Sequence, residues 1–270
     1  MINPEETEFE APETDAGAAP GNGAWPWRIR HFNELDSTNR YASEHISELA
    51  DREVIVADCQ TAGYGRLRRH WFSDRGGNLF ASLVLKPDPE AEMLTPCLNL
   101  TQYLAMVLCW TLEGHGLRPA IKWPNDVLVA DRKIAGILAE TVIRGFDLLG
   151  MVLGMGVNLS LTAEDLARID QPATALNLET GRTAAPLDFL DGLLRRFFEQ
   201  YHLFLQKGFP MIRAEYLRRC PHLGREVEIQ LPGGLVRGLA TGVDDHGAML
   251  LVDEDGIQRI IHLGEVFAAD

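Results

Sequence analysis

The chain is short of the features that mark secreted, membrane-spanning and metal-clustered proteins. Its 270 residues include only four cysteines, at 59, 97, 109 and 220, with no Cys-x-x-Cys pair. That scatter predicts free thiols in a reducing compartment, not a disulfide framework or a zinc site. No apolar run reaches bilayer-spanning length, and the N-terminus lacks a basic segment followed by an apolar one, so a soluble, unexported, cytoplasmic protein is expected. Basic residues are also scarce: 25 Lys and Arg stand against 39 Asp and Glu, for a formal charge of -14. A broad nucleic-acid-binding face is therefore excluded, and no membrane partner is implied. Residues 1–23 hold no Lys or Arg but carry Glu5, Glu6, Glu8, Glu10, Glu13 and Asp15 among Ala, Pro, Gly and Thr. This composition predicts a disordered acidic tail over 1–24. There is no P-loop and no Gly-x-Gly-x-x-Gly.

What is present is an ordinary globular composition, 46% hydrophobic and 24% charged, enough to bury a sizeable core. Strand patterns span 27–35, 53–58 and 78–86, with a helix after Asp36-Ser37-Thr38-Asn39, whose residue types suit an N-cap, running to about residue 50. A long, largely apolar helix is predicted over 94–115. Closely spaced strand candidates follow at 119–123, 127–130, 133–144 and 146–157, and spacing this tight requires antiparallel pairing. Helical patterns return at 163–169, 187–206 and 210–219. From residue 224 onward, short strands at 226–230, 235–243, 248–252 and 258–262 alternate with turn sequences, the pattern of a small all-β barrel. The fold class expected is α+β with a mixed, largely antiparallel sheet, divided near residue 222.

Two segments carry chemistry. Between Cys59 and Ser73 nothing is acidic, while Gly63-Tyr64-Gly65-Arg66-Leu67-Arg68-Arg69-His70-Trp71 gathers three arginines beside two glycines. Glycines let backbone N–H groups approach phosphate oxygens, and guanidinium groups clamp those oxygens, so this reads as a cationic loop closing over a small anion. Lys122-Trp123-Pro124-Asn125-Asp126 ends a strand in a proline-fixed turn that presents an amide and a carboxylate. A carboxylate placed there can hold Mg²⁺ against nucleotide phosphates, and a lysine can neutralise them. Lys133 opens the next strand, and Gly136 and the later Gly154 and Gly156 interrupt apolar strands, as glycines do where something must come close. Each signal alone also fits a solvated loop, a hairpin turn or a tightly packed sheet.

Taken in order, these motifs resemble the biotin protein ligases. The resemblance rests on Asp36-Ser37-Thr38-Asn39, on Gln60-Thr61-Ala62 running into the cationic loop through Trp71, and on Lys122 to Asp126. It continues through Arg132-Lys133-Ile134-Ala135-Gly136-Ile137-Leu138 and Gly154-Met155-Gly156-Val157-Asn158, and covers roughly residues 27–268. Tyr64 stands where the family often has arginine, and Arg68 where it often has glycine. The resemblance implies a class II synthetase-like catalytic domain over 25–221, an SH3-like C-terminal domain over 222–270, and a form lacking the family's N-terminal DNA-binding module. It implies that biotin is activated by ATP to biotinyl-5'-adenylate and passed to a lysine of a biotin carboxyl carrier protein. Lys133, Arg66 and Asp126 would be catalytic, with Asp126 holding Mg²⁺. Ser37, Thr38, Asn39, Gln60, Gly63, Tyr64, Gly65, Arg66, Lys133, Gly136, Gly154 and Gly156 would bind biotin, the glycines by leaving room for it. ATP would fall to Arg66, Arg69, Trp71, Lys122, Asn125, Asp126, Lys133 and Asn158. A homodimer is among the partners the family allows. Arg66 and Lys133 should act on one acyl-phosphate centre, under a loop over 61–75 that closes. A lipoate-type ligase, which shares the fold, and a non-catalytic biotin-binding protein are the alternatives.

Overall fold

The computed structural model describes residues 6–9, 27–86 and 99–268. The chain packs as two compact units, each discontinuous in sequence: residues 1–92 with 138–157, and residues 93–137 with 158–270. Cys59, Cys109 and Cys220 are free thiols. Cys97 and the start of the helix expected from Leu94 lie outside the described residues.

The first unit contains β1 (Glu6–Phe9), β2 (Arg28–Leu35), α1 (Thr38–Glu44), β3 (Glu53–Gln60) and β4 (Leu79–Leu85). Strand β1 corrects the expected disorder over its four residues, since it pairs antiparallel with β2; the rest of the acidic tail lies outside the described residues. Composition misses such an element because an edge strand is recruited through backbone groups that β2 leaves unpaired. Strands β2 and β3 are parallel, joined by the crossover through α1, and β3 and β4 are antiparallel. Helix α1 ends at Glu44, earlier than the sequence predicts, although Ile46 and Leu49 beyond it stay buried in the core with Phe32, Ile55 and Val84. Turns carry those apolar residues inward as well as a helix would.

The second unit contains α2 (Leu100–Gly114), β5 (Pro119–Lys122) and β6 (Asp126–Val129). The hairpin β7 (Arg132–Arg144) and β8 (Asp147–Val157) follows, β7 giving its first residues to this unit and its remainder, with β8, to the first. Strands β5, β6 and β7 pair antiparallel in sequence, and β8 pairs antiparallel with β4. Next come α3 (Ala163–Leu166), α4 (Leu176–Thr180), α5 (Pro186–Lys207) and α6 (Pro210–Arg219). The chain closes with β9 (Glu226–Leu231), β10 (Gly234–Val243), β11 (Met249–Val252), β12 (Gln258–Ile261) and β13 (Glu265–Ala268). These last five form one antiparallel sheet in the order β12-β11-β10-β9-β13. The fold is thus α+β with a largely antiparallel sheet, as expected.

Helix α2 lacks a clear amphipathic period because it is apolar nearly all round, which suits a helix buried on most faces. Tyr103 on α2 stacks on Phe204 at 4.3 Å and donates its hydroxyl to the Phe197 carbonyl at 2.5 Å. Burying each such ring contributes roughly 1.5–3 kcal/mol. The five-stranded sheet is seated in the same unit by its Asp244–Gly247 turn. Asn99 donates to the His246 carbonyl, and Gln102 and the Trp123 indole both donate to that of Gly247.

Candidate functional site

In the first unit the expected biotin-binding residues form a polar floor. Ser37 caps α1, its hydroxyl accepting from the Arg40 amide. Thr38 donates its backbone N–H to Gln60 Oε1 at 2.8 Å. Ser82 Oγ, which sequence reading missed, lies 2.8 Å from Thr38 Oγ1 and donates to Asn39 Oδ1 at 2.6 Å. Thr38, Asn39, Gln60 and Ser82 are all buried. The floor is therefore a set of neutral dipoles bonded to one another, with the Asn39 amide donating onward to Glu140 and the Leu138 carbonyl, which is how buried polar groups avoid a desolvation cost.

The glycines over this floor make room for the protein's own side chains. A Cβ on Gly154 would stand 2.0 Å from Asn39 Oδ1, and one on Gly156 would stand 2.5 Å from the Trp71 indole. A Cβ on Gly63 would stand 2.5 Å from Ser73 Oγ. In this structure the space expected for a ligand is filled at these three positions by Asn39, Trp71 and Ser73. Sequence reading registers an interrupting glycine but not which group approaches it.

The cationic loop leaves β3 and folds back on itself. The Trp71 amide donates to the Gly63 carbonyl at 2.9 Å, the Gly65 amide donates to that of Arg69 at 2.8 Å, and Tyr64 bridges to His70. Residues 66–68 make a single tight turn in which Leu67 and Arg68 take φ of 56° and 59°. Left-handed backbone at non-glycine residues is costly and clusters at functional sites. Arg68 and Arg69 are exposed and Arg66 is half-buried. The Arg68 guanidinium lies 4.5 Å from the centre of the Tyr64 ring. Burial first, and then the Glu140 carboxylate, push the Tyr64 hydroxyl above its ordinary range. It remains a donor, and Glu140 Oε2 accepts it at 3.0 Å.

The second unit holds the other half of the predicted residues. Asp126 opens β6 opposite Lys122 on β5 and Gly136 on β7. Its Oδ2 lies 2.8 Å from Lys133 Nζ, both side chains being largely buried. Asp126 Oδ1 is buried with no hydrogen-bond partner. The β6–β7 hairpin turns on Ala130 and Asp131, with φ of 48° and 59°. That is the twist a two-residue hairpin needs, here without the usual glycine or asparagine. Lys133 is fixed beyond this turn by backbone bonds to Pro172 and Thr174.

Three residues expected at ATP are engaged in holding this frame. Asn125 donates its amide to the Ile137 carbonyl at 2.9 Å, and Asn158 donates its own to that of Thr174 at 3.0 Å. Lys122 Nζ lies 3.5 Å from Glu265 Oε1 and 4.7 Å from the Phe267 ring centre, both on β13. Trp123 is buried, and the Trp123–Pro124 peptide is cis. Arg66 thus belongs to one compact unit and Lys133 to the other. Among the described residues no three His, Cys, Asp or Glu side chains gather around a point that could hold a metal. The unpartnered Asp126 oxygen nonetheless suits a hard cation that takes its remaining ligands from phosphates and water.

The Biotin/lipoate A/B protein ligase family matches residues 32–158, and the biotin protein ligase C-terminal domain matches residues 222–268. The biotin--[acetyl-CoA-carboxylase] ligase of Paracoccus denitrificans is 36% identical over 239 residues, covering 86% of this chain and 97% of its own. The bifunctional ligase/repressor BirA of Bacillus subtilis is 31% identical, over 85% of this chain and 71% of its own. Among solved structures, the biotin protein ligase of Aquifex aeolicus in complex with biotin and ATP superposes with a TM-score of 0.74 at 29% identity, covering 88% of this chain and 97% of that one. The motif residues, the α+β fold and these similarities agree: the chain belongs to the biotin protein ligases.

Proposed function

We propose that this chain activates biotin with ATP and transfers it to a lysine of a biotin carboxyl carrier protein. The observation that carries the reading is the buried Lys133–Asp126 pair with its unpartnered carboxylate oxygen, on a chain of this family. In the first step a biotin carboxylate oxygen attacks the α-phosphorus of ATP, the bond from that phosphorus to the β-bridging oxygen breaks, and pyrophosphate leaves. Two anions must meet, so positive charge has to be present before the reaction begins. Lys133 and Arg66 supply it at one acyl-phosphate centre. Asp126 would hold Mg²⁺, which supplies charge neutralisation at the phosphates. Ser37, Thr38, Asn39 and Gln60 present dipoles to the polar head of biotin, with Gly63, Tyr64, Gly65, Gly136, Gly154 and Gly156 around them. Lys122, Asn125 and Asn158 support the nucleotide by fixing the turn and strands that present Asp126 and Lys133. Arg69 and Trp71 meet it from the loop.

In the second step the carrier's lysine amine attacks the acyl carbon, AMP departs, and an amide forms as the amine sheds its proton. No nucleophile of the ligase is required, because the mixed anhydride is already activated and positioning supplies much of the rate. Folding of the loop over 61–75 excludes water from that anhydride. In this reading residues 25–221 are the catalytic domain, residues 222–270 an SH3-like domain, and the reaction runs in the cytoplasm where ATP is plentiful. Pairing of two copies is read by light scattering with and without the adenylate. The deciding experiment is mass spectrometry of a biotin carrier domain incubated with the protein, biotin and Mg·ATP. One added biotinyl group supports the reading. No addition overturns it, and addition with lipoate but not biotin moves the chain to the lipoate-type ligases.

A further inference from the structure

We propose that Glu140 is a positioning residue that ties the cationic loop to the polar floor, through Tyr64 on one side and Asn39 on the other. The inference rests on the reading of that loop as the flap over biotin and ATP, and it adds a residue to which no motif assigned a role.

Glu140 sits on β7 after Ile137, Leu138 and Ala139, a setting in which a half-buried carboxylate is expensive unless it is hydrogen-bonded. Its Oε2 accepts from Asn39 Nδ2 at 2.8 Å and from the Tyr64 hydroxyl at 3.0 Å. Neither donor can easily turn away. Asn39 is held from behind by Ser82, donates also to the Leu138 carbonyl, and fills the space over Gly154. Tyr64 is bridged to His70 and lies beneath the Arg68 guanidinium. Hydrogen bonds to an ionised acceptor are shorter and stronger than neutral ones, and here one oxygen serves both the floor and the loop. The loop needs such a restraint, because Leu67 and Arg68 hold left-handed backbone that only surrounding contacts maintain.

The latch uses no ligand atom. It therefore places Arg66 and Arg69 through protein contacts alone, with Tyr64 as the connecting group.

The test is limited trypsin digestion of the full chain, following cleavage after Arg66, Arg68 and Arg69 by mass spectrometry, alongside biotin-dependent ATP–pyrophosphate exchange. Tyr64→Phe keeps the ring and removes the hydroxyl, and Glu140→Gln keeps an acceptor oxygen for both donors but removes the negative charge that strengthens both bonds. Each should raise loop cleavage about tenfold, and the double variant should cleave no faster than the quicker single one, since both break one link. KM for ATP should rise by more than kcat falls. A loss of folded protein would instead lower apparent kcat at constant KM. Glu140→Asp should restore part of the protection. Cleavage within twofold of the parent in both single variants, or fully additive effects in the double variant, overturns the latch. If Glu140→Gln loses its near-ultraviolet circular dichroism, Tyr64→Phe decides the matter alone. A parent protein that shows no exchange but whose loop opens in both variants retains the latch and refutes the ligase reading.

Discussion

The candidate residues of the two units handle charge in opposite ways. In the first unit Thr38, Asn39, Gln60 and Ser82 form a floor of neutral side chains hydrogen-bonded to one another and, through Asn39, to the Glu140 carboxylate, and Arg68 and Arg69 stand out in solvent. In the second, a lysine and an aspartate are buried together, and one carboxylate oxygen has nothing to bond. A floor of neutral, hydrogen-bonded dipoles can exchange partners with a ligand at little net cost. A buried carboxylate with a spare oxygen is unfinished, and native proteins seldom leave one so without a cation or reacting group to meet it. The first unit's residues have the chemistry of recognition, and the second unit's pair has the chemistry of a charged centre.

That contrast is broken most severely at Lys133. Lys133→Ala removes the positive charge from the reaction and leaves Asp126 buried alone, so exchange should fall about 10²–10³-fold. Stability should drop by about 3 kcal/mol, since a buried partner is left uncompensated. Arg66→Ala should approach the same loss of exchange with far less change in Tm, because Arg66 lies on the loop and is only half-buried. Unchanged exchange in both variants would refute their assignment. Asp126→Asn comes next: a higher Mg²⁺ concentration should be needed for half-maximal exchange, and an unaltered Mg²⁺ titration would remove Asp126 from the metal role.

Much of this was legible from residues alone, because period and turn chemistry act locally. Helix α6 matches its predicted span, and β3 through β8 fall within a few residues of theirs. The misses have physical causes. Strand β1 is recruited by an open sheet edge, and β13 follows a Leu-Gly turn too short to register as a separate strand. At the site, residue types were readable but their partners were not. Nothing in the sequence told that Asn125 and Asn158 would brace the frame, or that Glu140, a lone carboxylate ending an apolar stretch, would join floor to loop. That carboxylate was the available signal.

The glycines sharpen the comparison within the first unit. Gly154→Ala forces a methyl group onto Asn39, which is fixed by Ser82 and Glu140 and cannot retreat. Overpacking of this kind costs about 1–3 kcal/mol, or roughly 2–4 °C in Tm for each kcal/mol at this size, and biotin affinity should fall with it. Gly156→Ala presses on Trp71 instead. That ring belongs to the loop and is half-buried, so the loop should yield first: a smaller fall in Tm and a larger change in tryptophan fluorescence. Equal losses of Tm would mean the loop is as rigid as the floor.

The smallest effect should come from the cationic corner of the second unit, where the imidazole of His222 is held neutral. Burial, then the charges of Lys122 and Arg225, hold its pKa down at about 4, against a weaker pull from Asp131 in the other direction. Its Nε2 is buried without a hydrogen-bond partner, so no acceptor offsets protonation there. The unfolded chain binds this proton near pH 6.5 and the folded chain only near 4, so between those values the unfolded state carries more protons and stability rises with pH. The contribution is complete above pH 6.5 and is lost progressively on acidification toward 4. Apparent Tm should therefore fall between pH 7 and pH 5, and His222→Gln, which cannot take up a proton, should flatten that part of the fall while leaving the carboxylate-driven loss at lower pH. An identical slope in the variant would mean that His222 titrates normally, and that Lys122, already paired with Glu265, exerts no net field on its neighbour.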